Sequence, residues 1–132
     1  RWIREVKPRF GSGIRERFDW AATVDSSAVT ENRTKWGAVK ARIDEVLGEG
    51  DILCLPSSPR IAPSRDTEIS EKEETFRYQA MCLLCIAGLG GLPQVSLPLA
   101  TLDGLPLGLS LVGPRGADTQ LLALSRELMA SV

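Results

Sequence analysis

Thiols, hydroxyls and a helical lysine are the groups in this 132-residue chain that could do covalent or metal chemistry. Cys82 and Cys85 spell "CLLC", a spacing that redox pairs and metal sites use, and Cys54 is the third cysteine. A structural zinc would want a fourth ligand, and an odd thiol with no second pair argues against a disulfide framework. Because "MCLLCIAG" puts positions i and i+3 on one side of an apolar helical pattern, the cysteines are expected to be core residues. Ser57 and Ser58 could serve as nucleophiles, yet no Gly-rich turn or paired base accompanies them, so both read as loop serines. Lys40, in "GAVKAR", would need burial or neighbouring positive charge to act as a base, and its helical position predicts a solvated side chain. The chain contains no histidine, which removes a Ser-His-Asp triad, a Cys-His pair and every His-bearing zinc site.

Composition narrows the partners. Sixteen basic and seventeen acidic residues leave a net charge of −1, so no field is available to gather a nucleic-acid backbone. No apolar run approaches the roughly 20 residues a membrane helix requires, and none is placed like a signal peptide. The chain reads as cytoplasmic, with neither nucleic acid nor membrane as a partner. It opens on Arg1 rather than Met, and "RWIREVKPRF" is neither a tag nor an unstructured leader, so a piece of a longer protein is expected.

Helical and strand patterns alternate along the chain. Residues from Gly13 to Val24 predict a short helix, with Ile14, Phe18, Ala21 and Ala22 spaced for one face. A longer helix should start after Ser26 or Ser27, either of which can accept from free backbone amides. Its apolar stripe is Trp36, Val39, Ile43, Val46 and Leu47, and Gly48 and Gly50 supply the left-handed geometry that ends it. Ile52 to Leu55 then predict a strand covered on both faces and stopped by Pro56. "PSSPRIAPSRDTEIS", residues 56–70, is a loop by composition, and long loops often carry function. Ser70 and Glu73 can form a capping box for a helix whose later half, through Met81, Leu84 and Ile86, should be buried.

Asp103-Gly104 suits a tight hairpin turn between the runs Val95–Thr101 and Leu105–Val112. A two-residue turn would set Leu97 opposite Ser110. One extra residue in a bulged turn would set Leu97 and Leu99 opposite Leu109 and Leu107, which we favour. Ser96, Pro98, Gly108 and Ser110 then form a face of small residues that another layer can approach closely. Asp118 is the expected cap of a final helix carrying Leu121, Leu122, Leu124, Leu128 and Met129.

"DILCLPSSPRIAP", "AGLGGLPQVSLPLA" and "DGLPLGLSLVGPRGADTQLLALSREL" resemble successive C-terminal segments of the amidase signature family. The resemblance covers roughly residues 33–130 of what we take as a single C-terminal fragment, residues 1–132. It implies an α/β fold, the C-terminal part of a mixed-sheet amidase, with helices packed on about three strands. It also implies hydrolysis of an amide, or transfer of its ammonia, by a Ser-Ser-Lys triad with no metal or organic cofactor. The family's Gly- and Ser-rich run containing Gly-Gly-Ser-Ser-Gly is missing here, so the fragment is expected to be inactive and to need the N-terminal portion of its protein.

By the same resemblance, the loop after "DILCLP" and the helix before "GLP" border the acyl pocket, which makes Pro56, Ser57, Ser58, Met81, Leu84 and Cys85 candidate substrate-lining residues. Relatives that accept glutamine tend to carry an acidic group at the position of Met81. A thioether there, in an apolar wall, points to a neutral amide, because a buried charge would lack a partner. Two alternatives are a fragment of the glutaminase subunit of a tRNA-dependent amidotransferase and a non-catalytic interaction domain. A few strands taken from a larger sheet should also leave apolar surface open to self-association.

Overall fold

The computed structural model describes residues 2–11, 13–64 and 71–131, with no side-chain description at 71–74. Two compact units emerge, Arg1–Trp36 and Gly37–Val132. In the first lie α1 (Trp2–Val6), α2 (Ile14–Ala21) and the opening turns of α3 (Ser26–Val46). Phe10 and Phe18 stack with ring centroids 5.0 Å apart, and the Arg15 guanidinium lies 5.3 Å from the Phe10 centroid. Such contacts contribute about 1 kcal/mol each and here join a half-buried Phe10 to two exposed side chains.

Asp25, not Ser26 or Ser27, caps α3. Its Oδ1 accepts from the Ala28 amide at 2.8 Å and from the Ser27 hydroxyl at 2.7 Å. A carboxylate brings negative charge to the positive end of the helix as well as an acceptor, so it displaces a hydroxyl from this role and Ser27 becomes its donor. The Ala28 amide, then the Ser27 hydroxyl, hold the Asp25 carboxyl below the usual aspartate range. Along the expected stripe only Leu47 is buried, while Trp36 is 50% and Val46 61% exposed. At the helix end Gly50 alone has the left-handed backbone (φ 87°); Gly48 instead donates its amide to Asp51.

The second unit is built on an antiparallel sheet of order β1-β3-β2, formed by β1 (Leu53–Pro56), β2 (Gln94–Leu102) and β3 (Leu105–Val112). Alternation along β3 divides its side chains between two layers. On one face Leu55 and Val112 pack with Ala87 of α4 (Glu71–Gly90), supported by Leu53, Leu83 and Leu92. On the other, Leu97 and Leu111 pack with Leu121 of α5 (Asp118–Ala130). The result is the expected mixed α/β arrangement, with all three strands antiparallel.

β1 departs from the reading of a strand covered on both faces. It is an edge strand in which Leu55 is buried and Cys54 exposed, because α5 lies against β2. The cysteines are accordingly not core residues: Cys54 and Cys82 are exposed and Cys85 is half-buried. No group of metal-ligating residues occurs among the described residues. Lys40 is half-buried rather than fully solvated. The later half of α4 is buried only at Ala87, which packs on the sheet, and at Gly90, which lies against Leu92 and Ile43, and Met81 and Leu84 remain exposed. The proposed Ser70–Glu73 capping box lies outside the described residues.

α4 ends as a Schellman motif, with Gly91 left-handed (φ 63°) and the Leu92 amide donating to the Ala87 carbonyl at 2.9 Å. Arg115 clasps this corner, donating to the Gly90 carbonyl and pairing with Asp44 of α3. The cap of α5 is Ala117, and Asp118 is already helical; its charge still favours the helix start.

The hairpin has a two-residue turn and a bulge. Asp103 (φ 53°) and Gly104 (φ 75°) both have positive φ, the type I′ pattern, and Leu102 pairs with Leu105. The extra residue sits in β2 between Leu97 and Ala100, not in the turn as expected. Leu97 therefore meets Leu109, as anticipated, but Leu107 faces Ala100 rather than Leu99. Pro98 has no amide to pair, so a bulge at this point gives up little hydrogen bonding.

Packing and capping can each be tested. Leu121 is fully buried, and Leu121→Ala should destabilise the fold by about 2–5 kcal/mol, read as a lower urea midpoint at unchanged slope. Asp25 stabilises α3 above the ordinary aspartate pKa, and this contribution should vanish as pH falls through its lowered value. An NMR titration should show the Ala28 amide shift following that low transition, and Asp25→Asn should abolish it.

Candidate functional site

Where β1 ends, the chain turns over the hairpin and three hydroxyls converge. The Ser57 amide donates to the Gly108 carbonyl at 2.7 Å, which continues the β1–β3 ladder by one bond. This aims the Ser57 side chain at paired residues of β2 and β3, Ser96 and Ser110. Ser57 Oγ lies 2.5 Å from Ser96 Oγ and 2.7 Å from Ser110 Oγ. Gln94 Nε2, two residues along β2 on the same face, donates to Ser110 Oγ at 2.9 Å. Gly108 makes the approach possible, since a Cβ there would lie 2.8 Å from Ser57 Oγ and 2.9 Å from its Cβ.

Burial is graded across this cluster: Ser110 is wholly buried, Ser57 and Gln94 are half-buried, and Ser96 is exposed. Hydroxyls and an amide titrate far from neutrality, so the cluster has no group that could act as a general base. It can orient a loop and present hydrogen bonds, but it cannot activate a nucleophile.

The six expected lining residues fall into two groups. Pro56 is the last residue of β1, exposed and paired with Leu109. Ser57 belongs to the hydroxyl cluster, and Ser58 donates within the loop to the Arg60 carbonyl at 2.8 Å. On α4, Met81 is 55% exposed, Leu84 is exposed, and the Cys85 thiol lies 4.0 Å from Met81 Sδ one turn away. Sequence reasoning singled out Ser96, Gly108 and Ser110 as small residues allowing close approach, and Ser57 is what approaches. It missed their hydrogen bonding to Ser57 and the part played by Gln94. The available signal was a serine at facing positions of the two strands, legible only with the bulged register in hand.

The architecture has counterparts. A family model described as Amidase matches residues 4–122, reaching further upstream than the three segments that carry the resemblance. Amidase 1 of Arabidopsis thaliana is 36% identical over 131 residues, which is 99% of this chain and 31% of that protein. A glutamyl-tRNA(Gln) amidotransferase subunit of Streptococcus pyogenes serotype M5 (strain Manfredo) is 36% identical over 75 residues, covering 57% of this chain and 15% of that protein. A crystal structure of an amidase superimposes with a TM-score of 0.77 at 25% identity, over 98% of this chain and 31% of that one. The chain thus spans about a third or less of the length of the relatives it matches. Agreement of sequence over nearly the whole chain with agreement of fold places it in one family: this chain belongs to the amidase signature family.

Proposed function

We propose that this chain is the C-terminal portion of an amidase that hydrolyses a neutral carboxylic amide. In that reaction the acyl C–N bond breaks, the acyl carbon takes its new oxygen from water, and the nitrogen leaves as ammonia or an amine. The observation that carries this reading is the match to Amidase 1 over 99% of the chain, against 57% for the amidotransferase relative. On this reading Pro56, Ser57, Ser58, Met81, Leu84 and Cys85 contribute to the wall of the acyl pocket. The attacking serine and its lysine partner belong to the N-terminal portion of the same protein, and no cofactor takes part. We place the protein in the cytoplasm; among the described residues no helix is long and apolar enough to cross a membrane.

Exposed apolar surface supports a role as part of a larger core. Leu122 and Met129 of α5 border an open groove with Val95 and Leu97 of β2. Ser125 lines the same groove, and its buried Oγ has no hydrogen-bond partner among the described residues. A buried hydroxyl without a partner costs about 1–3 kcal/mol, which a covering segment would relieve.

The purified 132-residue chain should show no turnover of neutral aryl or aliphatic amides above background and should self-associate in light scattering as concentration rises. The full-length protein carrying it should release acid and amine from the same amides. Preference for glutamine would favour the amidotransferase reading, and steady turnover by the chain alone, lost on altering one of its serines, would overturn the proposal.

A further inference from the structure

The direction of the hydroxyl network follows from counting protons. A serine hydroxyl has one proton to donate and two lone pairs to accept with. Gln94 Nε2 can only donate, so Ser110 Oγ accepts from it. If Ser110 accepted from Ser57 as well, its own proton would be left without a partner in a site with no exposure to water. Ser110 therefore donates to Ser57, Ser57 donates to Ser96, and the one proton left over belongs to Ser96, the exposed member. Each hydroxyl in such a chain polarises the next.

We infer that Ser110 is a positioning residue, which acts through Ser57 to hold the loop after β1 in place as a wall of the acyl pocket. The inference rests on the amidase reading for the word pocket, while the ordering of the loop stands on geometry alone. Two bonds tie Ser57 to β3, one from its amide to Gly108 and one between its side chain and Ser110. The absent side chain at Gly108 leaves the space that both need. Ser110 is itself held by Gln94 and by the pairing of β3 with both of its neighbours. The fixed point of the loop is thus a buried side chain in the middle strand.

The test uses the full-length protein. In Ser110→Ala, Gln94 loses its acceptor and Ser57 loses its donor, so the Ser57 amide, which is bonded to Gly108, should exchange with deuterium on the order of tenfold faster, while the amides of α5 keep their rate. KM for a small neutral amide should rise on the order of tenfold with kcat within about twofold, the pattern of lost binding rather than lost chemistry. Gly108→Ala leaves every hydroxyl in place but crowds Ser57, and it should loosen the same loop. Adding Ser57→Gly to that variant removes the two nearest crowding atoms but also the acceptor of the buried Ser110 proton, so the urea midpoint should recover only in part while the loop still exchanges quickly. Unchanged loop exchange in Ser110→Ala, or faster exchange spread equally over α5, overturns the inference, as does a fall in kcat at constant KM. Absence of amidase activity in the unaltered protein sinks the amidase reading instead, and the exchange comparison still decides whether Ser110 orders the loop.

Discussion

Pro98 has no backbone proton to give, and the extra residue that β2 carries beside it decides which side chains meet across the hairpin. With the bulge, Leu97 faces Leu109, Ser96 faces Ser110 and Gln94 faces Val112. Without it, the tight Asp103-Gly104 turn would put Leu97 against Ser110, and an apolar side chain would replace a hydroxyl beside Ser57. One irregularity in one strand therefore sorts the apolar residues toward α5 and the polar ones toward the loop.

β3 carries the consequence because it is the middle strand. Its neighbours on either side pin its register, and its alternating side chains serve two different purposes. Leu111 contributes to the packing around Leu121, whereas Ser110 and Val112, on the opposite face, meet the loop serine and Ala87. Wholly buried Ser110 is tolerated there because Gln94 and Ser57 satisfy it, which makes the polar cluster as constrained as the apolar packing around it.

Membership of the amidase signature family accounts for features that are odd in an isolated domain. The apolar stripe of α3 is largely exposed, β1 and β2 are both open edges, and a groove beside α5 holds a hydroxyl with no partner among the described residues. Each is economical if this third of the relatives' length packs within a larger protein.

Much of the architecture was legible in the residues themselves. The helices around Phe18, Trp36 and Leu121, the strand at "DILCLP" and the Asp103-Gly104 hairpin follow from periodicity, capping and turn chemistry, which act over a few residues. So did the family, through ordered segments rich in glycine and proline. Burial was misjudged wherever it depended on a distant neighbour: Cys54, Cys82, Met81 and Val46 are apolar by type yet exposed, since what a side chain packs against is set by other parts of the chain. At α3 the cap was a contest between adjacent acceptors that Asp25 won over Ser26 and Ser27, whereas at α5 Ala117 holds the cap position with no side-chain hydrogen bond and Asp118 enters the first turn. Only the tertiary structure brought Ser57 to Ser96 and Ser110, 39 and 53 residues away, because their meeting requires the pairing of three strands as well as the bulge beside Pro98, a residue whose missing amide suits an edge, a strand end or a bulge alike.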